Sequence, residues 1–309
     1  MARVCIDWFP MGSYPRQREP GLYMDDRLKA AIDILLINIV RDWFFTILIS
    51  GGGKVRVGKS VLGMQIACYW SYEMEKRNGI KVPWDLKQNL VFHASTLIEQ
   101  GMALPKYSAL VYDEAGEALE SVKVLKTVTK KVNDFLREAG QLNLLTILVL
   151  PEFFDLPKGI ALTRSQILID VDYTIDGKTG IFQRGKFKFY SEKNKKLLYL
   201  KGKKELNYKA HKSDWQFPGE FYNVYTVDEK VYRKMKQEAL ASRKDMDVDE
   251  KIVFKERNAM WWYCRTQLKM QSKQIAEVTE QLTGIYPSKQ KINSAIKEFS
   301  LGNEGNSVK

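Results

Sequence analysis

The stretch Phe44-Phe45-Thr46-Ile47-Leu48-Ile49-Ser50-Gly51-Gly52-Gly53-Lys54-Val55-Arg56-Val57-Gly58-Lys59-Ser60 decides the fold of this chain. Its first part, up to Ser50, is a β-branched and aromatic run that reads as a buried strand. Three glycines follow at once. Gly53 to Ser60 then fits the phosphate-loop pattern G-x-x-x-x-G-K-[ST] without a gap. Ser60 to Cys68 reads as a helix. Strand, glycine loop and helix in that order are what phosphate binding needs. Glycines let backbone amides curl around phosphate oxygens, and the helix N-terminus adds its positive dipole end. The nucleotide-binding residues are therefore Gly53, Lys54, Val55, Arg56, Val57, Gly58, Lys59, Ser60 and Val61. Lys59 would reach the β- and γ-phosphates of ATP, and Ser60 would hold Mg²⁺. A glycine turn beside a solvated lysine could spell the same letters, but the flanking strand and helix weigh against it.

A second stretch supports the first. Ala109-Leu110-Val111-Tyr112-Asp113-Glu114 is an apolar strand ending in two acids. In P-loop ATPases a carboxylate at that strand end holds the Mg²⁺ shell, and a neighbouring glutamate can polarise the attacking water. Asp113 is the expected metal residue beside Ser60, and Glu114 the expected catalytic residue beside Lys59. Glu117 is the second candidate for the water. The pair points to hydrolysis rather than to nucleotide binding alone.

The chain has 309 residues, 45% of them hydrophobic, enough for one large core and a small appendage. A net charge of +12 and a pI near 9.3 favour a polyanionic partner, nucleic acid before membrane, although lysine-rich surfaces also serve solubility. Cys5, Cys68 and Cys264 are scattered and odd in number, which suits a reducing cytoplasm. Residues 1–20 lack the basic-then-apolar order of a signal peptide. The longest apolar helical run, at 30–40, carries Asp33 and Asn38 and is too short to span a bilayer. A cytoplasmic protein with no membrane span is expected.

Strands alternate with helices along the first two thirds, which implies a parallel sheet with right-handed crossovers. Strands are expected at 43–50, 89–92, 108–113, 144–150 and 166–173, and helices at 25–41, 60–76, 95–100 and 118–139. The last of these helices would carry Leu119, Val122, Leu125, Val128, Val132 and Phe135 on one stripe. From Tyr173 the style changes. Asp176-Gly177 is a hairpin signal, and the run from Ile181 to Tyr190 with Leu197-Leu198-Tyr199-Leu200 reads as an antiparallel ribbon over 173–203. Arg184 and Lys186 make the ribbon a candidate DNA surface, with Lys188, Lys193, Lys195, Lys196, Lys201 and Lys203 nearby. Residues 215–222 read as a loop, 227–244 as a charged helix and Asp245-Met246-Asp247-Val248-Asp249 as a linker.

The C-terminal part reads as all-α. A helix at 250–268 precedes a serine-capped helix from Ser272, a turn at Thr283-Gly284-Ile285-Tyr286-Pro287 and a second capped helix from Ser288. Ile275, Val278 and Leu282 would pack on Ile292 and Ile296, a helix-turn-helix pattern. Lys289, Lys291, Asn293 and Lys297 would face outward towards DNA. Lysines on a helix are ordinarily a solvated face. The order of capped helix, glycine turn and capped helix is what points to DNA. The expected division is thus an N-terminal extension at 1–24, an ATPase domain at 25–246 and a helix-turn-helix domain at 247–309. The fold class is α/β: a RecA-like P-loop NTPase sheet flanked by helices, with the antiparallel ribbon and the helical domain appended.

The loop at 53–60, the pair Asp113-Glu114, the apolar strand at 144–150 and Phe154-Asp155-Leu156-Pro157 resemble the FtsK/HerA superfamily of P-loop DNA motors, and its Zot-like members as well. Phe217-Pro218-Gly219-Glu220-Phe221-Tyr222, followed by Val227 to Tyr232, resembles the tail of small viral or plasmid members. The resemblance covers roughly 43–235 and implies a homo-oligomeric ring, usually a hexamer, with ATP between subunits and double-stranded DNA in the pore. It also implies a translocase or packaging motor. Arg164 resembles a family position for an arginine finger, with Arg137 as runner-up; either could be an ordinary surface arginine. Where such motors usually carry a glutamine after the strand at 144–150, this chain has Pro151-Glu152, so Glu152 stands at the sensor position. Two other readings remain open at this level: an ATP-dependent DNA-binding switch or loader without translocation, and a Zot-like phage assembly factor.

Overall fold

The computed structural model describes residues 24–115, 126–210 and 217–304. The N-terminal extension, Glu117 with the stripe residues Leu119, Val122 and Leu125, and Trp215 lie outside them. The chain splits into two compact units, Met1–Lys236 and Gln237–Lys309.

The first unit is built on one sheet of seven strands in the order β2-β3-β4-β1-β5-β6-β7. The strands are β1 (Phe45–Ser50), β2 (Leu90–Val91), β3 (Ala109–Tyr112), β4 (Leu145–Val149), β5 (Ile167–Ile175), β6 (Phe182–Tyr190) and β7 (Phe217–Glu220). All six residues of β1 are buried, as a central strand covered on both faces requires. It pairs in parallel with β4 on one side and β5 on the other, while β3 lies beyond β4. The carboxyl ends of β1, β3 and β4 therefore open on the same edge of the sheet, where ligands bind in open α/β folds. β6 and β7 run antiparallel, so the expected ribbon is a continuation of the sheet.

Helices α1 (Asp26–Ile39) and α2 (Lys59–Asn78) flank the sheet. Asp25 caps α1 by accepting from the backbone amides of Arg27 and Leu28 at 3.0 and 3.2 Å. Leu28, Ile32, Leu35, Leu36 and Ile39 form its buried stripe. α3 (Ala94–Ala103) starts after His93, which places Ser95 inside the first turn rather than at the cap. α4 (Lys126–Glu138) sends Val132, Phe135 and Leu136 into a core shared with Leu110, Leu148 and Phe153. The result is an α/β P-loop NTPase fold.

Three expectations about single elements are corrected. Leu197 to Leu200 do not continue the ribbon but lie in helix α5 (Glu192–Gly202), whose buried face is Lys195, Leu198, Tyr199 and Gly202. That spacing is helical; the stripe was concealed because a lysine occupies its first position. Phe217–Glu220 is a strand rather than a loop, because Phe217 stacks on Phe189 of β6 with centroids 4.6 Å apart. The first compact unit ends at Lys236. Asp245 to Asp249, read as a linker, are helical within α6 (Glu229–Thr266).

The second unit is all-α. Trp261 of α6 packs with Ile275 and Ala276 of α7 (Ser272–Thr283) and with Ile292 and Ala295 of α8 (Lys289–Glu304). The Trp261 indole donates to Thr279 Oγ1 at 3.0 Å. The cap of α7 is Gln271 rather than Ser272: the Gln274 side chain reaches back to accept from the Gln271 amide at 2.7 Å. Ser288 Oγ accepts from the Lys291 amide at 3.2 Å, as expected of a capping serine. Leu282, expected in the core, is 70% exposed.

Candidate functional site

The loop after β1 is held from below by β4. The amides of Gly51 and Gly53 both donate to the Pro151 carbonyl, at 3.4 and 2.9 Å. Gly53 and Gly58 take φ values of 74° and 102°, in the left-handed region that glycine tolerates. Gly58 is the cap of α2, and a Cβ there would lie 3.0 Å from both Asn223 Oδ1 and the Phe221 ring. Arg56, at φ 57°, is a non-glycine residue in the same region and is exposed. Val57 and Val61 are buried beneath the loop, whereas Val55 is 78% exposed. Lys59 Nζ donates across the loop to the Lys54 carbonyl at 2.8 Å. Burial holds the Lys59 ammonium below its usual range, partly offset by Glu114 and Asp113.

The strand-end acids meet this loop. Ser60 Oγ donates to Asp113 Oδ1 at 2.8 Å. That oxygen also accepts from the Glu114 amide at 3.1 Å. Asp113 is buried, and Glu114 follows at φ 61°, a left-handed conformation uncommon for its residue type and frequent at functional positions. A hydroxyl and a carboxylate side by side are hard oxygen donors of the kind Mg²⁺ takes together with nucleotide phosphates. The donor set fits that ion. Among the described residues no cluster of three or more His, Cys, Asp or Glu could hold a metal alone.

Residues without a motif complete the site. Tyr232 of α6 donates its hydroxyl to Asp113 Oδ2 at 2.7 Å. Lys236, one turn later, donates to the same oxygen at 3.0 Å and lies 2.6 Å from Glu114 Oε1. Burial alone would lower the Lys236 ammonium, but Asp113, Tyr232 and Glu114 outweigh it and hold it above the usual lysine range. Burial and Asp113 likewise push the Tyr232 hydroxyl up. At the end of β4, Tyr208 donates to Glu152 Oε1 at 2.6 Å, meets Ser50 Oγ at 2.9 Å and accepts from the Phe153 amide at 3.2 Å. Glu152 also accepts from the Phe154 amide at 3.1 Å. Both donors end on Oε1 and fix the Glu152 carboxylate beside the loop. On the other flank, Lys54 pairs with Asp172 at 2.5 Å. Tyr208, Tyr232 and Lys236 lie more than ninety residues from the loop–acid pair in sequence, and although Tyr232 ends the family-like tail, no motif assigns any of them to the site.

The remaining candidates lie elsewhere. Arg164 is the half-buried last residue of a π-helical turn, Ile160–Arg164. Among the described residues it makes no hydrogen bond or ion pair with the loop or with Asp113, Glu114 and Glu152. Lys195 is fully buried under that turn, donating to the Ala161 carbonyl and Ser165 Oγ at 2.7 Å each. It is therefore no surface contact. Arg137 is exposed and pairs with Asp134 at 3.5 Å. Arg184 is exposed, while Lys186 is paired with Glu220. Lys289, Lys291 and Lys297 are exposed on α8. Asn293 Oδ1 is committed inside the helical unit, accepting from Ser272 Oγ at 2.7 Å and from Arg265 at 3.3 Å.

No protein-family model matches the sequence, and no curated protein matches it. Several solved structures are similar in part. The N-terminal domain of zonular occludens toxin from Neisseria meningitidis is 14% identical, with a TM-score of 0.36 over 62% of this chain and 98% of that one. The DNA-packaging ATPase B204 from Sulfolobus turreted icosahedral virus is 16% identical, with a TM-score of 0.32 over 50% of this chain and 94% of that one. A KaiC-like protein from Pyrococcus horikoshii is 13% identical, with a TM-score of 0.28 over 48% of this chain and 77% of that one. Among the described residues no helix is long and apolar enough to cross a membrane.

Proposed function

We propose that this chain is an ATP-hydrolysing motor that acts on DNA as a homo-oligomeric ring. The observation that carries the ATPase half is the meeting of Ser60 and Asp113 at 2.8 Å, with Lys59 and Glu114 beside them. Lys59 leaves the Lys54 carbonyl to bind the β- and γ-phosphates, and the amides of 53–61 line the phosphate path. Glu114 takes the proton of the attacking water. Glu152, fixed by Tyr208, orients that water from the β4 side. When bound, Mg²⁺ neutralises charge on the phosphate oxygens, with Ser60 and Asp113 as its protein partners. Arg164 is the candidate arginine finger for a neighbouring subunit's site; substitution by Ala should then abolish turnover while leaving nucleotide binding intact.

The DNA half rests on the +12 net charge and on exposed Lys289, Lys291, Lys297 and Arg184. ATP turnover with and without duplex DNA, alongside displacement of a protein roadblock from one DNA end, tests the motor directly. DNA-stimulated turnover with directional displacement is the expected result. ATP-responsive DNA binding without displacement would instead make the chain a switch or loader.

A further inference from the structure

Both oxygens of Asp113 are already engaged. Oδ1 accepts from Ser60 and from the Glu114 amide; Oδ2 accepts from Tyr232 and Lys236. Lys236 also reaches Glu114 Oε1, so a single ammonium bridges the two acids expected to serve the metal and the water. We propose that Lys236 is a built-in counter-ion that competes with Mg²⁺ for the Asp113–Glu114 pair, and that it must withdraw before Glu114 can activate water. The inference rests on the nucleotide reading above.

Three physical points support it. First, the Lys236 ammonium sits 2.6 Å from Glu114 Oε1 and so occupies the oxygen that an attacking water would have to approach. The bridged arrangement is therefore a resting one. Second, a divalent ion with hard-oxygen preference is the stronger competitor for a carboxylate once phosphate oxygens complete its shell. Third, the two helix residues differ in freedom. Tyr232 is 4% exposed and wedged against the rings of Phe92 and Tyr225, with centroids 6.3 and 5.3 Å away. The Lys236 side chain is 24% exposed and ends in a flexible four-carbon stem. Tyr232 can stay on Asp113 as the anchor while Lys236 swings out. Lys59 cannot play this part, since it belongs to the phosphate loop.

The test is binding of a fluorescent, non-hydrolysable ATP analogue to the full chain across a Mg²⁺ series. Lys236→Met and the hydrogen-bonding neutral Lys236→Gln should each lower the Mg²⁺ midpoint by about tenfold, a shift of roughly 1.4 kcal/mol. Lys236→Arg, which keeps the charge, should stay within about twofold of wild type, as differences of a few tenths of a kcal/mol imply. Using two neutral variants guards against one of them failing to fold. An unchanged or raised midpoint in the neutral variants overturns the proposal while leaving the nucleotide reading intact. A wild-type chain that binds no analogue at any Mg²⁺ level overturns both.

Discussion

Asp170 stands in register with Ser50 of β1, at the root of the phosphate loop, and is only 5% exposed. Among the described residues its Oδ1 has no hydrogen-bond partner. Burial pushes its carboxyl up to about 7; Lys188 and Lys54 pull it down, while Asp172 and Glu152 push it further up. The folded chain therefore binds a proton here that the unfolded chain releases near 3.8. Stability from this group is full below that value and is lost as pH rises to about 7. Asp170→Asn, nearly isosteric and uncharged, should gain over wild type across this window. At pH 8 the advantage should be about 1–3 kcal/mol, discounted from the full linkage value. Denaturant melts at several pH values check it, and a difference that does not vary with pH would contradict it.

At the scale of elements, the loop between β1 and α2 is a conformational commitment. Gly58→Ala imposes a Cβ at φ 102°, which costs about 1–2 kcal/mol of backbone strain. It also crowds Asn223 and Phe221 at 3.0 Å. The variant should melt lower and lose nucleotide-analogue binding together; a wild-type melt with wild-type binding would refute this use of the glycine. The loop was legible in sequence because glycine spacing, an apolar strand and a helix agree on one geometry. β1, β3 and β4 were legible for a similar reason: strands buried on both faces are continuous apolar runs. α5 was not, since Lys195 fills a core position and Leu197 to Leu200 look like a strand by residue type. Lys195 is accommodated only because carbonyls of the π-helical turn and Ser165 accept its protons, a tertiary fact with no local signature. Burial pushes its ammonium down to about 7.

At the scale of the whole molecule, the candidate site divides along the same line. Lys59, Ser60, Asp113 and Glu114 were readable because their chemistry demands a fixed local pattern. Tyr208, Tyr232 and Lys236 were not, because only the folded chain brings them to the loop. The positive charge, by contrast, is a global property and points to phosphate backbones without saying where they bind. Removing residues 250–309 keeps Tyr232 and Lys236 and deletes α7 and α8. The truncated chain should keep basal ATP turnover, bind DNA more weakly and show a shallower salt dependence. Binding across a salt series checks this. Unchanged affinity and slope would assign the helical unit to a protein partner instead.

ATP binding and turnover of wild type, Lys59→Ala and Glu114→Gln, measured side by side, bear most directly on the proposed chemistry. Wild type should hydrolyse ATP, and Lys59→Ala should lose turnover with the phosphate contact. Glu114→Gln should bind ATP within a few-fold of wild type yet turn over about 10²- to 10⁴-fold more slowly, the usual loss when a general base is removed. Wild-type turnover in Glu114→Gln would remove the assigned base, and a wild-type chain that neither binds nor hydrolyses ATP would remove the ATPase altogether.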